Sequence, residues 1–364
     1  MLERLPPRGS KVALPHGALR ENYNPYLERR IQETGGAFGP LGLQFRAQPE
    51  LEALHYRDGL KDSLIEDMNE VAPGLVYKYQ DHEMSGVSYP GRALWTVTRN
   101  CAAYCRFCTR GREVGLPVRA KGPGTGALSE VASLLPAQIE ETLEYIRKKE
   151  GLNEIILSGG DPLLLDRGTF QYVLGRLRQL QDVGKLDIVR IGTRVPVQDP
   201  PFMREDHYKS IAQLKNPFMM IHINCIEELT PETLEVLNKF RKDCNALVLS
   251  QTVLLKGVNS STERLAELFN KMAKEGIRPY YVYQNDEVYW AEHDTVPIEE
   301  AIEMWQKLRP ILSGVAATAR FVIDTPEGYG KIAIPEGGFW NVDFNAGYRD
   351  FKGTRFDLKT TEPK

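Results

Sequence analysis

The sequence predicts an α/β fold, a parallel sheet with helices packed on its outside. Two observations carry this. From Arg92 onward, short runs rich in β-branched and aromatic residues alternate with longer amphipathic runs, and the alternation repeats six times. The helix-like runs also carry start signals, with Thr230 as an N-cap before Pro231 and with Pro297 as another first helical residue. Six such units suit a barrel or partial barrel; an open doubly wound sheet has the same periodicity.

In chain order, residues 1–85 read as a helical accessory segment. Asn24-Pro25-Tyr26-Leu27-Glu28 and the stretch from Leu60 to Glu66 suggest short amphipathic helices among Pro- and Gly-containing loops, suited to packing or to an oligomer contact. Residues 86–316 form the core and 317–364 a C-terminal segment. Strand-like runs fall at 93–98, 154–157, 187–191, 219–223, 246–253 and 280–283. Helix-like runs lie at 136–149, 169–181, 207–214, 231–242, 261–274 and 297–308. Between 111 and 135 the chain passes through Gly, Pro and Lys residues, notably at 121–126. A loop of that length is either a lid over a site or a surface insertion.

The 364 residues are 42% hydrophobic and 26% charged, enough for one large core with appendages. A net charge of −3 gives no sign of nucleic acid as an obligate partner. No apolar run reaches the length of a bilayer span, and the N-terminus lacks a signal-peptide core. With free thiols, these features point to the cytoplasm and to no membrane partner.

Three of the five cysteines fall in Cys101-Ala-Ala-Tyr-Cys105-Arg-Phe-Cys108, after the first strand-like run. Cysteines so few and odd in number do not make a disulfide framework. A zinc site normally wants four ligands, and the nearest histidine, His82, lies well upstream. Three thiolates on one turn suit three irons of a [4Fe–4S] cluster and leave one iron open for a substrate or cofactor. Ser158-Gly159-Gly160-Asp161 follows the second strand-like run. Its glycines let backbone approach a ligand; the same residues also make a tight βα turn with Asp161 as cap. Both features sit at the carboxyl ends of strands, where such folds place their chemistry.

The cysteine spacing resembles that of the radical S-adenosylmethionine (SAM) superfamily. The resemblance implies a TIM-like partial (β/α)6 barrel, with the open iron chelated by the amino and carboxylate groups of SAM. It sets Ser158, Gly159, Gly160 and Asp161 at the SAM amino group. Further motifs resemble the lysine 2,3-aminomutase family, in the family's order and over roughly residues 86–340. They are Cys105-Arg-Phe-Cys108-Thr-Arg110, Leu157-Ser-Gly-Gly-Asp-Pro-Leu163, Arg190-Ile-Gly-Thr-Arg194, the run from Ser250 to Asn259, the run from Arg278 to Asp286, and Phe321-Val-Ile-Asp324.

That family likeness implies pyridoxal phosphate (PLP) as a second cofactor, a C-terminal PLP-binding extension, and a radical shift of an α-amino group to the β-carbon. It assigns Lys331, just after Gly328 and Gly330, as the PLP lysine, Arg92 to the PLP phosphate, and Gln251 to a cofactor contact. Arg110 would hold the substrate carboxylate, a pairing suited to a planar guanidinium. Asp286 and Asp324 would hold a distal ammonium, which favours lysine and disfavours glutamate. A flavodoxin- or ferredoxin-type one-electron reductant and a homo-oligomer complete the expectation. The rivals are an aminomutase for arginine, glutamate or a modified lysine, and a radical SAM enzyme without PLP. The chain also departs from the family pattern. Ser88 replaces a phosphate-binding arginine, and Gly111 interrupts an arginine run. Ser250 stands where some members carry a zinc cysteine, 221–226 keeps only part of its counterpart, and 287–293 differs from the usual pattern.

Overall fold

The computed structural model describes residues 19–54, 62–77, 91–115, 132–286, 288, 290–324 and 331–334, with the backbone of three short strands beyond. Ser88, the 121–126 loop and the glycines before Lys331 lie outside the described residues. Among the described residues, no helix is long and apolar enough to cross a membrane.

The N-terminal segment begins with α1 (Pro25–Glu33), where the Asn24 side chain accepts from the Leu27 amide and Pro25 takes the first turn. Helices α2 (Gly42–Phe45) and α3 (Pro49–Leu54) follow. The sequence predicts a helical segment, and the structure departs from that in carrying turns and strands as well. Residues 62–66 form turns, because Ile65 takes a left-handed φ of 51° that ends any helix there. Strands β1 (Glu70–Ala72) and β2 (Leu75–Tyr77) then form a hairpin through Gly74, whose φ is 69°.

The hairpin opens a sheet whose order follows the chain. Its strands are β3 (Gly91–Thr98), β4 (Leu152–Gly159), β5 (Ile188–Thr193), β6 (Phe218–His222), β7 (Leu247–Leu254), β8 (Arg278–Gln284), β9 (Arg320–Asp324) and β10 (Lys331–Ala333). Strands β3 through β9 pair in parallel; β2 with β3 and β9 with β10 pair antiparallel. The crossovers carry α4 (Pro136–Lys148), α5 (Arg167–Asp182), α6 (Val195–Gln198), α7 (Glu205–Ile211), α8 (Pro231–Asp243), α9 (Thr262–Lys274) and α10 (Ile298–Leu308). Six βα units are therefore present, and β9 adds a seventh parallel strand. Among the described residues β10 does not pair with β1, so the barrel is partial. Beyond it, β11 (Val342–Asp343), β12 (Gly347–Arg349) and β13 (Arg355–Phe356) form a separate antiparallel sheet.

Strand side chains alternate between faces, and here the two faces differ. Outward residues such as Trp95, Ile155, Val189, Met219 and Phe321 pack with Leu143, Phe170, Phe240 and Phe269 of the helices in one cluster. Each such burial contributes roughly 1.5–3 kcal/mol, so this layer dominates stability. Inward residues Leu94, Ile156, Gly192, Met220, Gln251 and Tyr281 line a single cavity, around which the sheet curls. Thr230 caps α8 as its sequence predicts, accepting from the Thr233 amide, and Asp166 and Ser261 do the same for α5 and α9.

Candidate active site

The cavity holds about 330 Å³, and Cys101, Cys105 and Cys108 line it. The residues between them anchor the loop. Ala103 and Phe107 pack with Leu27, Ile31 and Phe45 of α1 and α2. Arg106 is 1% exposed; its Nε and Nη2 donate to the Glu52 carboxylate of α3 at 3.0 and 2.6 Å. The Tyr104 and Arg106 amides donate to the carbonyls of Asn22 and Gln44, both at 2.8 Å. The N-terminal segment thus grips the cysteine loop from outside while the thiols face inward.

Burial raises all three thiols, that of Cys108 to about 11. Arg194 partly offsets the effect at Cys105. Among the described residues, no three Cys, His, Asp or Glu side chains converge tightly enough for a single metal ion. A mononuclear site would need its donors around one centre, whereas a four-iron cluster takes one thiolate per iron. Three unbridged cysteines on one loop fit the latter.

The turn after β4 shows why its residues are what they are. A β-carbon on Gly159 or Gly160 would stand 2.2 Å from the carbonyl oxygen of Thr98 or Asn100. The glycines therefore let this turn press against the backbone leading into Cys101. Asp161 is buried, and its carboxylate accepts from Thr193 Oγ1 and from the amides of Leu163, Arg194 and Val195. Burial pushes its carboxyl up to about 6, against the pull of those bonds. Asp161 thereby caps the turn and ties β4 to β5, and it also lines the cavity beside Ser158, Gly159 and Gly160.

Other expected site residues are paired within the chain. Arg110 lines the cavity, but its Nε and Nη2 donate to Glu66 at 2.6 and 2.7 Å. Burial works against its charge and Glu66 outweighs it, so the guanidinium stays protonated. Among the described residues, no hydrogen bond reaches its Nη1. Lys331 opposes Asp324 across the β9–β10 pair, and their side chains form an ion pair in the cavity wall. The Lys331 ammonium also stands 4.9 Å from the Tyr283 ring centre. Arg92 and Arg190 share Glu154, at 3.1 and 2.6 Å. Gln251 donates to the Tyr283 hydroxyl at 2.9 Å. Asp286 lines the same cavity.

Glu66, Glu154, Arg190, Arg194 and Tyr283 also belong to the cavity or pair with its lining, with no role legible in the sequence. Arg190 and Arg194 lie within a recognised motif; the acids carry no local signal, since their partners are distant in the chain. Two departures from the family pattern meet in space. A β-carbon on Gly111 would stand 2.4 Å from the Trp290 ring, so the glycine makes room for that tryptophan.

The radical SAM superfamily pattern matches residues 95–282. The L-lysine 2,3-aminomutase of Clostridium subterminale is 32% identical over 275 residues, covering 76% of this chain and 59% of the relative. That of Bacillus subtilis is 32% identical over 297 residues, covering 80% and 56%. A glutamate 2,3-aminomutase of Clostridioides difficile is 28% identical over 246 residues, covering 68% and 54%. The chain thus matches less than two thirds of the length of these relatives. Among solved structures, a radical SAM methyltransferase from Sphaerobacter thermophilus aligns with a TM-score of 0.46 at 16% identity, covering 68% of this chain and 69% of the other.

Proposed function

The chain belongs to the radical SAM superfamily, and from that premise we propose that it is a SAM- and PLP-dependent aminomutase that moves the α-amino group of L-lysine to the β-carbon. One observation carries the proposal: Lys331 and Asp324 open onto the same cavity as Cys101, Cys105 and Cys108. A lysine that holds PLP must reach the radical source, and Lys331, an exposed residue whose side chain is 29% accessible, lies on the wall of the cavity that the cysteines line.

When bound, the cluster and SAM supply one-electron chemistry, and PLP supplies a carrier for the migrating nitrogen. The chain's part is to hold and to exclude water. The three cysteines hold three irons. Ser158, Gly159, Gly160 and Asp161 would hold the SAM amino group. Lys331 anchors PLP, Arg92 and Arg190 offer positive charge to its phosphate, and Gln251 lends a further polar contact. Arg110 keeps its outer edge for the substrate carboxylate while Glu66 fixes the inner one. Asp286 and Asp324, two carboxylates on the same cavity, would suit the distal ammonium of lysine. A flavodoxin- or ferredoxin-type reductant, a cytoplasmic setting and a homo-oligomer belong to the same proposal, as does the division at residues 85 and 316.

Anaerobic assays of the reconstituted enzyme with each amino acid test this. β-Lysine is the expected product; β-glutamate without β-lysine would overturn the substrate assignment. Lys331→Ala is expected to remove the cofactor's absorption band, and a chain that never shows one is not a PLP enzyme.

A further inference from the structure

We infer that Arg194 tunes the reduction potential of the cluster through a charged hydrogen bond to the Cys105 sulfur. The inference rests on the cluster assignment above. The Arg194 side chain is 6% exposed, and its Nη1 donates to Cys105 Sγ at 2.8 Å. Its Nη2 donates to Glu228 Oε1 at 2.6 Å and also to Gln44. The guanidinium lies 4.7 Å from the Phe45 ring centre and 5.2 Å from that of Phe107. Gln198 gives the same sulfur a second, longer bond at 3.4 Å. Among the described residues, no guanidinium hydrogen bond reaches Cys101 or Cys108 in this way.

A donor on a cluster sulfur withdraws electron density and stabilises the reduced state, which carries one more negative charge. A cationic donor does so more strongly, and the apolar walls of Phe45 and Phe107 lower the local screening. Glu228 acts with the opposite sign. Its carboxylate accepts from Arg194 and from the Asn224 and Cys225 amides, so it is fixed beside the guanidinium. Arg194 is therefore a positioning and tuning residue. Its backbone amide meets Asp161, which links the cysteine loop to the turn after β4.

The test is a redox titration of the anaerobically reconstituted full chain without SAM, followed by the electron paramagnetic resonance signal of the reduced cluster. Arg194→Gln is expected to lower the reduction equilibrium at least tenfold, about 59 mV more negative for one electron. Glu228→Gln is expected to shift the midpoint to more positive values, and both variants keep wild-type iron content. Unchanged midpoints at full iron content overturn the inference and leave the aminomutase proposal standing. If Arg194→Gln fails to fold, Glu228→Gln decides alone: a positive shift supports the inference, and no shift or a negative one overturns it. A wild-type chain that takes up no cluster overturns the cluster assignment and this inference with it.

Discussion

Arg110 pairs with Glu66 and lines the cavity, and the proposed function gives it the substrate carboxylate as well. Its inner edge is held by Glu66, from a turn 44 residues earlier, and its outer edge faces the cavity. Arg110→Ala is expected to spare cluster assembly, measured as iron content, and to lower kcat/KM by about two to three powers of ten, equivalent to ~3–4 kcal/mol. It also strands a buried carboxylate, so stability falls. The double variant Arg110→Ala, Glu66→Gln is expected to recover the thermal midpoint but not turnover. Recovery of turnover as well would mean that Arg110 only answers Glu66. Sequence pattern pointed to Arg110 and to the family role it implies, but not to Glu66. Ion pairs between distant segments leave no periodic trace in either partner.

At the scale of elements, the N-terminal segment is a clamp on the cysteine loop. Glu52 on α3 and Arg106 in the loop form a pair whose side chains are 1% and 2% exposed. Glu52→Ala leaves that arginine buried without its counter-charge, at an expected loss of about 3–5 kcal/mol in chemical denaturation. Faster iron loss should accompany it, because the loop's outer anchor is gone. The packing of Trp290 against Gly111 is a second contact between elements. Gly111→Ala forces a clash at 2.4 Å and should cost about 1–3 kcal/mol in thermal unfolding. Trp290→Leu in the same chain should return part of that loss, and strict additivity of the two changes would argue against the contact. The strands and helices themselves were legible because apolar periodicity is local. The β1–β2 hairpin was missed because a Pro73-Gly74 turn between very short strands resembles loop. The run from Leu60 to Glu66 reads as helix because composition does not reveal the left-handed Ile65 within its described part.

At the scale of the molecule, the apolar layer between sheet and helices does not include the cluster cysteines among its fully buried members. Removing iron with a chelator should therefore leave the far-ultraviolet circular dichroism nearly unchanged, unlike small metal-dependent domains that unfold when stripped. Collapse of that signal would mean that the cluster organises the fold. What the sequence by itself determined is the alternation of strand and helix and the close spacing of Cys101, Cys105 and Cys108. Both are matters of spacing within a single run of chain, which local geometry dictates. What only the tertiary structure decided is how each charge in the cavity is answered: Glu66 at Arg110, Asp324 at Lys331, Glu154 between Arg92 and Arg190, Arg194 at Cys105. The Thr193 hydroxyl and the Arg194 and Val195 amides at the end of β5 reach Asp161 along with the Leu163 amide of its own turn, a set of partners that only the curl of the sheet assembles. A charge in a low-dielectric cavity pairs with whatever folding sets beside it, and that neighbour is chosen by the path of the whole sheet.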